Sequence, residues 1–215
     1  KDVDRLGIMR LKDYWQRFGL GEKTGIDLPS EARGFLPDPD LKERATGDAW
    51  RVGDTYNVSI GQGDLLITPL QLLNYIVAFA NNGTLYEPFL VKTVVGYEGN
   101  VLKETTPRVI KEYASVFGAD ISLIRKAMRD VVVEDYGTAH SLTALPFSVA
   151  AKTGTAQIED KSKTNAFFVG YGPAGEGEIP EIAILILLED AKKGSVNAVP
   201  VAKDVFAWYY ENRMK

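Results

Sequence analysis

The stretch Val149-Ala-Ala-Lys-Thr-Gly-Thr-Ala-Gln157 says most about the fold and the chemistry of this chain. A short apolar run leads into small polar residues, a pattern typical of a strand that enters a binding site. Gly154 has no side chain, so a ligand can approach the backbone closely there. If the strand lies at a sheet edge, its outward N–H groups can bind an extended peptide or an oxyanion. Lys152 adds a positive charge and Thr153 a hydroxyl, a pair suited to a carboxylate.

An ordinary strand with a solvated lysine would show the same three residues Lys-Thr-Gly, so the remaining sequence must decide. The 215 residues are enough for one large domain or two small ones, and the 45% of apolar residues are enough for a core. The net charge of −4 and the lack of a Lys/Arg-rich run argue against nucleic acid as a partner.

Metal and redox chemistry have few ligands available in this composition. The absence of cysteine excludes disulfides, thiolate metal sites and cysteine nucleophiles. A single histidine, His140, leaves no room for a multi-histidine metal cluster. We therefore expect no metal and no cofactor.

The longest apolar run, residues 182–188, is too short to cross a bilayer. The chain shows no signal peptide and starts directly on a polar amphipathic stretch. We therefore expect it to be a piece of a longer protein.

The N-terminal half contains two predicted helices separated by a long irregular segment. Apolar residues at three- and four-residue spacing predict a helix over residues 4–18, with Gly19 as its stop. Residues 21–55, rich in Gly, Pro and Asp, are predicted to form a partly extended surface segment. Thr68-Pro69 predicts the start of a buried helix that ends at Asn82-Gly83.

The C-terminal half predicts an antiparallel sheet with helices on its faces, an α+β type of the α/β class. A hairpin is predicted around Gly99-Asn100, and a helix over residues 119–134. The strands are predicted at residues 148–156, 164–171 and 181–188.

The last strand is continuously apolar, which predicts a central position covered on both faces. A closing helix is predicted over residues 198–213, with an inward face formed by Val201, Val205, Trp208 and Tyr209.

Several segments share one order with a known family. They are Thr24–Glu31, Ile60–Gly63, Thr68–Gln71, Ala80–Gly83, Gly137–His140 and Ala151–Gln157. Together they resemble the class B penicillin-binding proteins, the peptidoglycan D,D-transpeptidases of the bacterial envelope. Within that class they resemble the penicillin-binding protein 2 branch, which serves cell elongation. The likeness implies the C-terminal portion of the penicillin-binding protein/serine β-lactamase transpeptidase fold.

The resemblance also implies roles for individual residues. Lys152 would sit beside the serine of an S-x-N motif and help to move protons. The hydroxyls of Thr153 and Thr155 would bind the carboxylate of a penicillin or a stem peptide, and the Thr155 N–H would be one oxyanion donor. Gly154 would keep the strand open to the ligand, and Gln62, in a Gly-Gln-Gly loop, would border the cleft.

Two further residues are weaker candidates for the site. His140 precedes a predicted strand, where a lone histidine is more often a hydrogen-bonded structural residue than a catalyst. Gln157 closes the Lys-Thr-Gly segment.

The family's other two motifs, S-x-x-K and S-x-N, do not occur in their expected places. Ser122 comes close to S-x-x-K, but three residues on is Arg125, which stays protonated and cannot act as a base. The one S-x-N match, Ser195-Val196-Asn197, follows the Lys-Thr-Gly box and is interpreted as a chance match in a loop. No serine has a lysine three positions later, at residues 30, 59, 115, 122, 141, 148, 162 or 195.

We therefore expect residues 1–215 to be a partial transpeptidase domain, with both serine motifs upstream and no activity of its own. The resemblance implies stem peptides, β-lactam antibiotics and a membrane glycan polymerase as partners of the full-length protein. It also implies the outer face of the cytoplasmic membrane, reached through an N-terminal anchor absent from this chain.

Three alternatives use the same motif differently. The chain could belong to a non-catalytic penicillin sensor, or it could serve mainly to dock on the polymerase. Serine β-lactamases share the Lys-Thr-Gly box, but the long segment over residues 21–67, with its Gly-Ile-Asp-Leu-Pro and Gly-Gln-Gly signatures, argues against them.

Overall fold

The computed structural model describes residues 7–157, 163–191 and 194–215. Within these ranges the chain divides into two units. The N-terminal unit comprises residues up to 75 together with 84–112, and the C-terminal unit comprises 76–83 together with 113–215. Both units draw on one helix, because the boundary at residues 75 and 76 falls inside it.

The N-terminal unit combines short helices with two antiparallel strand pairs, β1 with β4 and β2 with β3. Its elements are α1 (Ile8–Arg17), α2 (Pro39–Thr46), α3 (Val52–Ser59), α4 (Pro69–Ala80, shared with the other unit), β1 (Thr84–Glu87), β2 (Thr93–Val95), β3 (Val101–Glu104) and β4 (Arg108–Glu112). Helix α1 confirms the first predicted helix from residue 8 onward, while residues 4–6 lie outside the described ranges.

Helices α2 and α3 lie in or across the segment that the sequence predicted to be irregular, so that prediction was wrong in part. The Asp38 side chain caps α2 by accepting hydrogen bonds from the N–H groups of Asp40 (3.0 Å) and Leu41 (3.3 Å). Pro39 occupies the first turn, and Gly47 ends the helix at a φ of 76°. The helix buries no residue, so apolar periodicity could not reveal it.

Helix α4 begins and ends where the sequence predicted. The Thr68 hydroxyl accepts a hydrogen bond from the Gln71 N–H (3.1 Å), and the Gln71 side-chain oxygen accepts one from the Thr68 N–H (3.0 Å). This reciprocal pair is a capping box with glutamine in the third position. Gly83 follows the helix with a φ of 94°, and a Cβ there would lie 2.6 Å from Ile121. Ile76 and Phe79 are buried, which confirms the predicted burial of this helix.

Strands β2 and β3 form the predicted hairpin. The Gly96 N–H donates to the Asn100 carbonyl (2.8 Å), and the register shifts between Val94 and Val95. All residues of both strands are exposed.

The C-terminal unit is an antiparallel three-stranded sheet in the order β5-β6-β7, with helices packed against it. Its elements are α5 (Ala114–Val133), a 3₁₀ helix (His140–Ala144), β5 (Ala150–Gln157), β6 (Thr164–Gly172), β7 (Ile182–Leu188), α6 (Gly194–Tyr209) and a terminal π-type turn (Tyr210–Met214). The three predicted strands and the α+β architecture are confirmed. Helix α5 starts five residues before its predicted start at residue 119, with a non-helical residue, Phe117, inside it.

The position of β7 differs from the prediction. Within the described residues β7 lies at one edge of the sheet, and β6 is the central strand. Most of β7 is half-buried, whereas the second half of β6 is buried. A continuous apolar run reports that both faces of a strand are partly covered, and it does not report the strand order.

Helix α6 presents a different face from the predicted one. Val201 and Trp208 are 40% and 56% exposed, while Val205 is packed at the margin of the core and Tyr209 is half-buried. The buried stripe is instead formed by Ala198, Val199, Ala202 and Phe206. Small alanines let the helix pack closely against the sheet, so the buried face of α6 contains alanines and leaves the larger Trp208 exposed.

The start of α6 also corrects the predicted loop around the S-x-N match. Ser195-Val196-Asn197 lies in the first turn of this helix, which begins at Gly194. Within the described residues, no helix has the length and apolar character needed to span a membrane.

Asp27 ties the Gly-Pro-rich segment to the chain just before β2. Its carboxylate accepts hydrogen bonds from the N–H groups of Leu90 (2.8 Å) and Val91 (2.9 Å). These N–H groups, that of Leu90 first, hold the pKa of Asp27 below its ordinary value of 3.8. The ionised carboxylate therefore stabilises the folded state.

We predict that Asp27→Asn lowers the melting temperature at pH 7 and that this deficit shrinks below pH 3.8. A depressed folded-state pKa gives stability that is present above the unfolded pKa and is lost as the pH falls through the folded one. Thermal unfolding between pH 2 and 7, followed by circular dichroism, measures this. Asp13→Asn, which removes an exposed pair with Arg17, is the charge-matched control. A deficit that stays constant over the whole pH range would contradict the prediction.

Candidate active site

Strand β5 carries the Lys-Thr-Gly segment along one edge of the sheet. It pairs with β6 from Ala150 opposite Tyr171 to Gln157 opposite Thr164, without a shift in register. Within the described residues no strand pairs with its other side. The condition set by the sequence for peptide binding, an edge strand, is therefore met.

One face of β5 runs from the core out to the solvent. Alternate residues of a strand share a face, and directly opposed residues on two antiparallel strands share it too. Ala151 is fully buried, Thr153 is half-buried and Thr155 is exposed. Phe168, opposite Thr153, is buried and contacts Phe206 of α6 with ring centroids 6.3 Å apart. Helix α6 therefore covers this face at Phe168, and the face opens to solvent at Thr155.

The same alternation places Lys152 and Gly154 on the other face of β5. The strand thus presents the two hydroxyls on one face and the ammonium on the other. Lys152 is exposed, and its ammonium donates to the carbonyl of Thr153. The two threonine hydroxyls therefore share one face of the strand, without the lysine.

Gly154 is not required by the packing of the protein itself. A Cβ at this position would lie 3.5 Å from the Cβ of Phe167, which is ordinary van der Waals contact. At Gly170 of β6, in contrast, a Cβ would lie 2.9 Å from the Ala150 carbonyl oxygen. Packing within the described residues therefore does not explain why position 154 is a glycine.

Thr138 contacts one of the candidate residues, although the sequence analysis did not select it. It lies between α5 and the 3₁₀ helix, and its Oγ1 is 2.8 Å from Oγ1 of Thr153. The available signal was the Gly137–His140 segment, which was used for the family resemblance only. Nothing local in that segment predicts a contact with a residue 15 positions later.

His140 opens the 3₁₀ helix. Its Nε2 lies 3.8 Å from a carboxylate oxygen of Asp135. Its Nδ1 is buried and has no hydrogen-bond partner within the described residues. The backbone is held by Gly137, whose carbonyl accepts from the His140 N–H (3.1 Å).

The two glutamines occupy separate surroundings. Gln157 is exposed at the end of β5. Gln62 belongs to the N-terminal unit, where it is half-buried and its N–H donates to the Asn57 carbonyl (2.9 Å) in the turn after α3. Over the described ranges, no group of three or more His, Cys, Asp or Glu side chains could hold a metal ion.

A polar network holds the start of β5. Arg129 of α5 donates to the Val149 carbonyl (2.8 Å). The Ser148 hydroxyl donates to Glu178 and accepts from the Ala174 N–H (2.7 Å). The Ser148 hydrogen bond is the main cause that lowers the pKa of the Glu178 carboxyl. These bonds fix the entry to the strand on which the candidate residues lie.

The comparison with protein families identifies the domain. Residues 3–207 match the penicillin-binding protein transpeptidase domain. The chain belongs to this family, which confirms the resemblance and the fold class proposed from the sequence.

Individual relatives point to one branch of the family. The peptidoglycan D,D-transpeptidase MrdA of Acinetobacter baumannii is 32% identical over 99% of this chain and 33% of its own length. Penicillin-binding protein 2 of Helicobacter pylori, in a complex with MreC, superposes with a TM-score of 0.81 at 32% identity, covering 98% of this chain and 37% of that one.

A third comparison is with Pseudomonas aeruginosa penicillin-binding protein 2 in complex with WCK 5153. Its TM-score is 0.78 at 31% identity, with 98% of this chain and 46% of that chain covered. These relatives confirm the predicted penicillin-binding protein 2 branch. The chain spans about a third of the length of the curated relatives it matches.

We predict that Gly137→Ala destabilises the C-terminal unit by about 2–3 kcal/mol. A Cβ at this position would lie 2.2 Å from the Val131 carbonyl oxygen and 2.9 Å from that of Glu134, and backbone atoms cannot rotate away. Chemical denaturation gives the free energy of unfolding.

The matched control is Gly118→Ala in α5, where a Cβ meets no atom within 4 Å. This change should stabilise the helix by about 0.5–1 kcal/mol. Equal effects of the two substitutions would contradict the assignment of a packing requirement to Gly137.

Proposed function

We propose that this chain is the Lys-Thr-Gly part of a serine D,D-transpeptidase that cross-links peptidoglycan stem peptides. The observation that supports it most directly is the edge strand β5, which presents Thr153 and Thr155 on one face and a glycine between them. The family membership and the name of the Acinetobacter baumannii relative support the same reaction.

In the proposed reaction a serine hydroxyl attacks a peptide carbonyl of one stem peptide, and the terminal residue leaves. The amine of a second stem peptide then takes the acyl group and regenerates the serine. The hydroxyls of Thr153 and Thr155 would bind the substrate carboxylate, and the Thr155 N–H would stabilise the oxyanion. Gly154 would let the peptide lie against the backbone of β5.

Lys152 would assist proton transfer next to the serine of the S-x-N motif. It projects from the face of β5 opposite to the threonines, so it would approach the reacting centre from a different side than the carboxylate anchors. Gln62, His140 and Gln157 are proposed only as residues bordering the cleft.

The nucleophile is proposed to lie in a preceding segment of the full-length protein, with the S-x-N serine. A serine hydroxyl needs a neighbouring base to become an effective nucleophile, and no serine in this chain has the family's lysine three residues later. We therefore propose that this chain alone is inactive.

The proposed partners are stem peptides, β-lactam antibiotics bound along β5, and a membrane glycan polymerase. The proposed location is the outer face of the cytoplasmic membrane of a bacterium, with an anchor in another part of the protein. The Helicobacter pylori relative forms a complex with MreC, which supports a role in an envelope assembly.

The test is the intact mass of the full-length protein and of this chain after incubation with benzylpenicillin. We expect one adduct on the full-length protein and none on this chain. An adduct on the isolated 215-residue chain would place the nucleophile among its own serines. No adduct on the folded full-length protein would favour a non-catalytic module that does not bind penicillin covalently.

In the full-length protein, Lys152→Ala should slow acylation by benzylpenicillin on the order of 100-fold, the size of a lost proton-transfer group. Lys126→Ala is the matched control, because this exposed lysine pairs with Asp130 on the surface of α5 (2.8 Å). Stopped-flow acylation kinetics measure both variants. Equal rates for Lys152→Ala and the wild type would remove Lys152 from the proposed mechanism.

A further inference from the structure

The hydroxyl of Thr153 lies within hydrogen-bond distance of a second hydroxyl, that of Thr138 (2.8 Å). Either oxygen can be the donor of this bond. Each threonine hydroxyl has one proton to donate and two lone pairs to accept with. The direction of this bond therefore decides where the single Thr153 proton points.

We propose that Thr138 is a positioning residue for carboxylate recognition: it donates to Thr153 and so directs the Thr153 proton to the ligand. This inference rests on the proposed function, in which Thr153 binds a substrate or penicillin carboxylate. An ionised carboxylate only accepts hydrogen bonds. Thr153 must then donate to the ligand, and the Thr138–Thr153 bond must run from Thr138.

The chain on both sides of Thr138 is held in place. Gly137 fits against the end of α5 so closely that a Cβ would lie 2.2 Å from the Val131 carbonyl oxygen. On the other side, Ala139 is fully buried and its N–H donates to that same carbonyl (3.1 Å). The Thr138 hydroxyl is therefore presented by a backbone that is fixed at both neighbours.

Packing does not explain the threonine at position 138. Its side chain is exposed, so it contributes little to the core formed by the neighbouring Ala139 and Leu142. Its hydroxyl contact is with a half-buried residue on the strand of the proposed site. A hydroxyl that polarises a second hydroxyl strengthens the bond which the second one donates.

The proposed role of Thr138 predicts a change in selectivity between ligands with and without a free carboxylate. Loss of the Thr138 hydroxyl leaves the Thr153 proton undirected, which weakens recognition of a carboxylate. It leaves recognition of a ligand without that charge nearly unchanged. The ratio of the two acylation rates is therefore the quantity that distinguishes positioning from a general structural effect.

The experiment uses the full-length protein with benzylpenicillin and with its methyl ester, which lacks the free carboxylate. Thr138→Val should lower the acylation rate constant for the acid about five- to tenfold, the size of one hydrogen bond, and leave the ester nearly unchanged. Thr138→Ser keeps the hydroxyl and should restore the selectivity for the acid. Because the ratio of rates does not depend on the fraction of folded protein, partial misfolding cannot imitate the result.

Thr143→Val is the matched control. It removes a hydroxyl from the neighbouring 3₁₀ helix, where Thr143 donates to the His140 carbonyl (2.7 Å). We expect the wild-type ratio of acid to ester for this variant.

The inference is overturned if Thr138→Val slows acid and ester equally, if it changes neither, or if Thr138→Ser fails to rescue. It is also overturned if the wild type does not distinguish acid from ester, because Thr153 would then bind no carboxylate. A wild-type protein that forms no adduct with either compound refutes the proposed function itself. Normal acylation of the wild type with unchanged selectivity in Thr138→Val refutes only the role of Thr138.

Discussion

The in-register pairing of β5 with β6 is the constraint on which the candidate site depends. It sets Thr153 opposite Phe168, and Phe168 is fully buried against Phe206 of α6. The core thus determines which way alternate residues of β5 face, and a slip of one residue would exchange the two faces. Hydrophobic packing in one half of the strand therefore orients the polar chemistry in the other half.

The glycines of this region show two different uses of the same residue. Gly170 and Gly137 leave room for carbonyl oxygens of the protein, at Ala150 and Val131, so their hydrogen atoms face backbone. Gly154 has ordinary space around it. The first kind holds the scaffold together, and the second leaves the backbone of an edge strand accessible. The distinction supports the placing of ligand contacts at β5 and not at the neighbouring strand.

The segment between α5 and the 3₁₀ helix connects this scaffold to the strand. Its glycine and its buried alanine both contact the Val131 carbonyl, and the threonine between them contacts Thr153. Because these atoms are closely packed, the backbone on either side of Thr138 has little room to move. The segment over residues 137–139 therefore holds a hydroxyl in a fixed position beside Thr153.

The sequence by itself determined the features that depend on neighbouring residues. Thr68 and Gln71 cap α4 because the side chain of each accepts a hydrogen bond from the backbone N–H of the other. The apolar pattern of the C-terminal half likewise predicted the three strands. The order of the motifs likewise identified the family. Only the tertiary structure decided that β7 lies at an edge among the strands of the described residues, that α6 buries Ala198, Ala202 and Phe206, and that Thr138 contacts Thr153. These are contacts between distant parts of the chain, and they depend on shape and close approach, which no local pattern of polarity records.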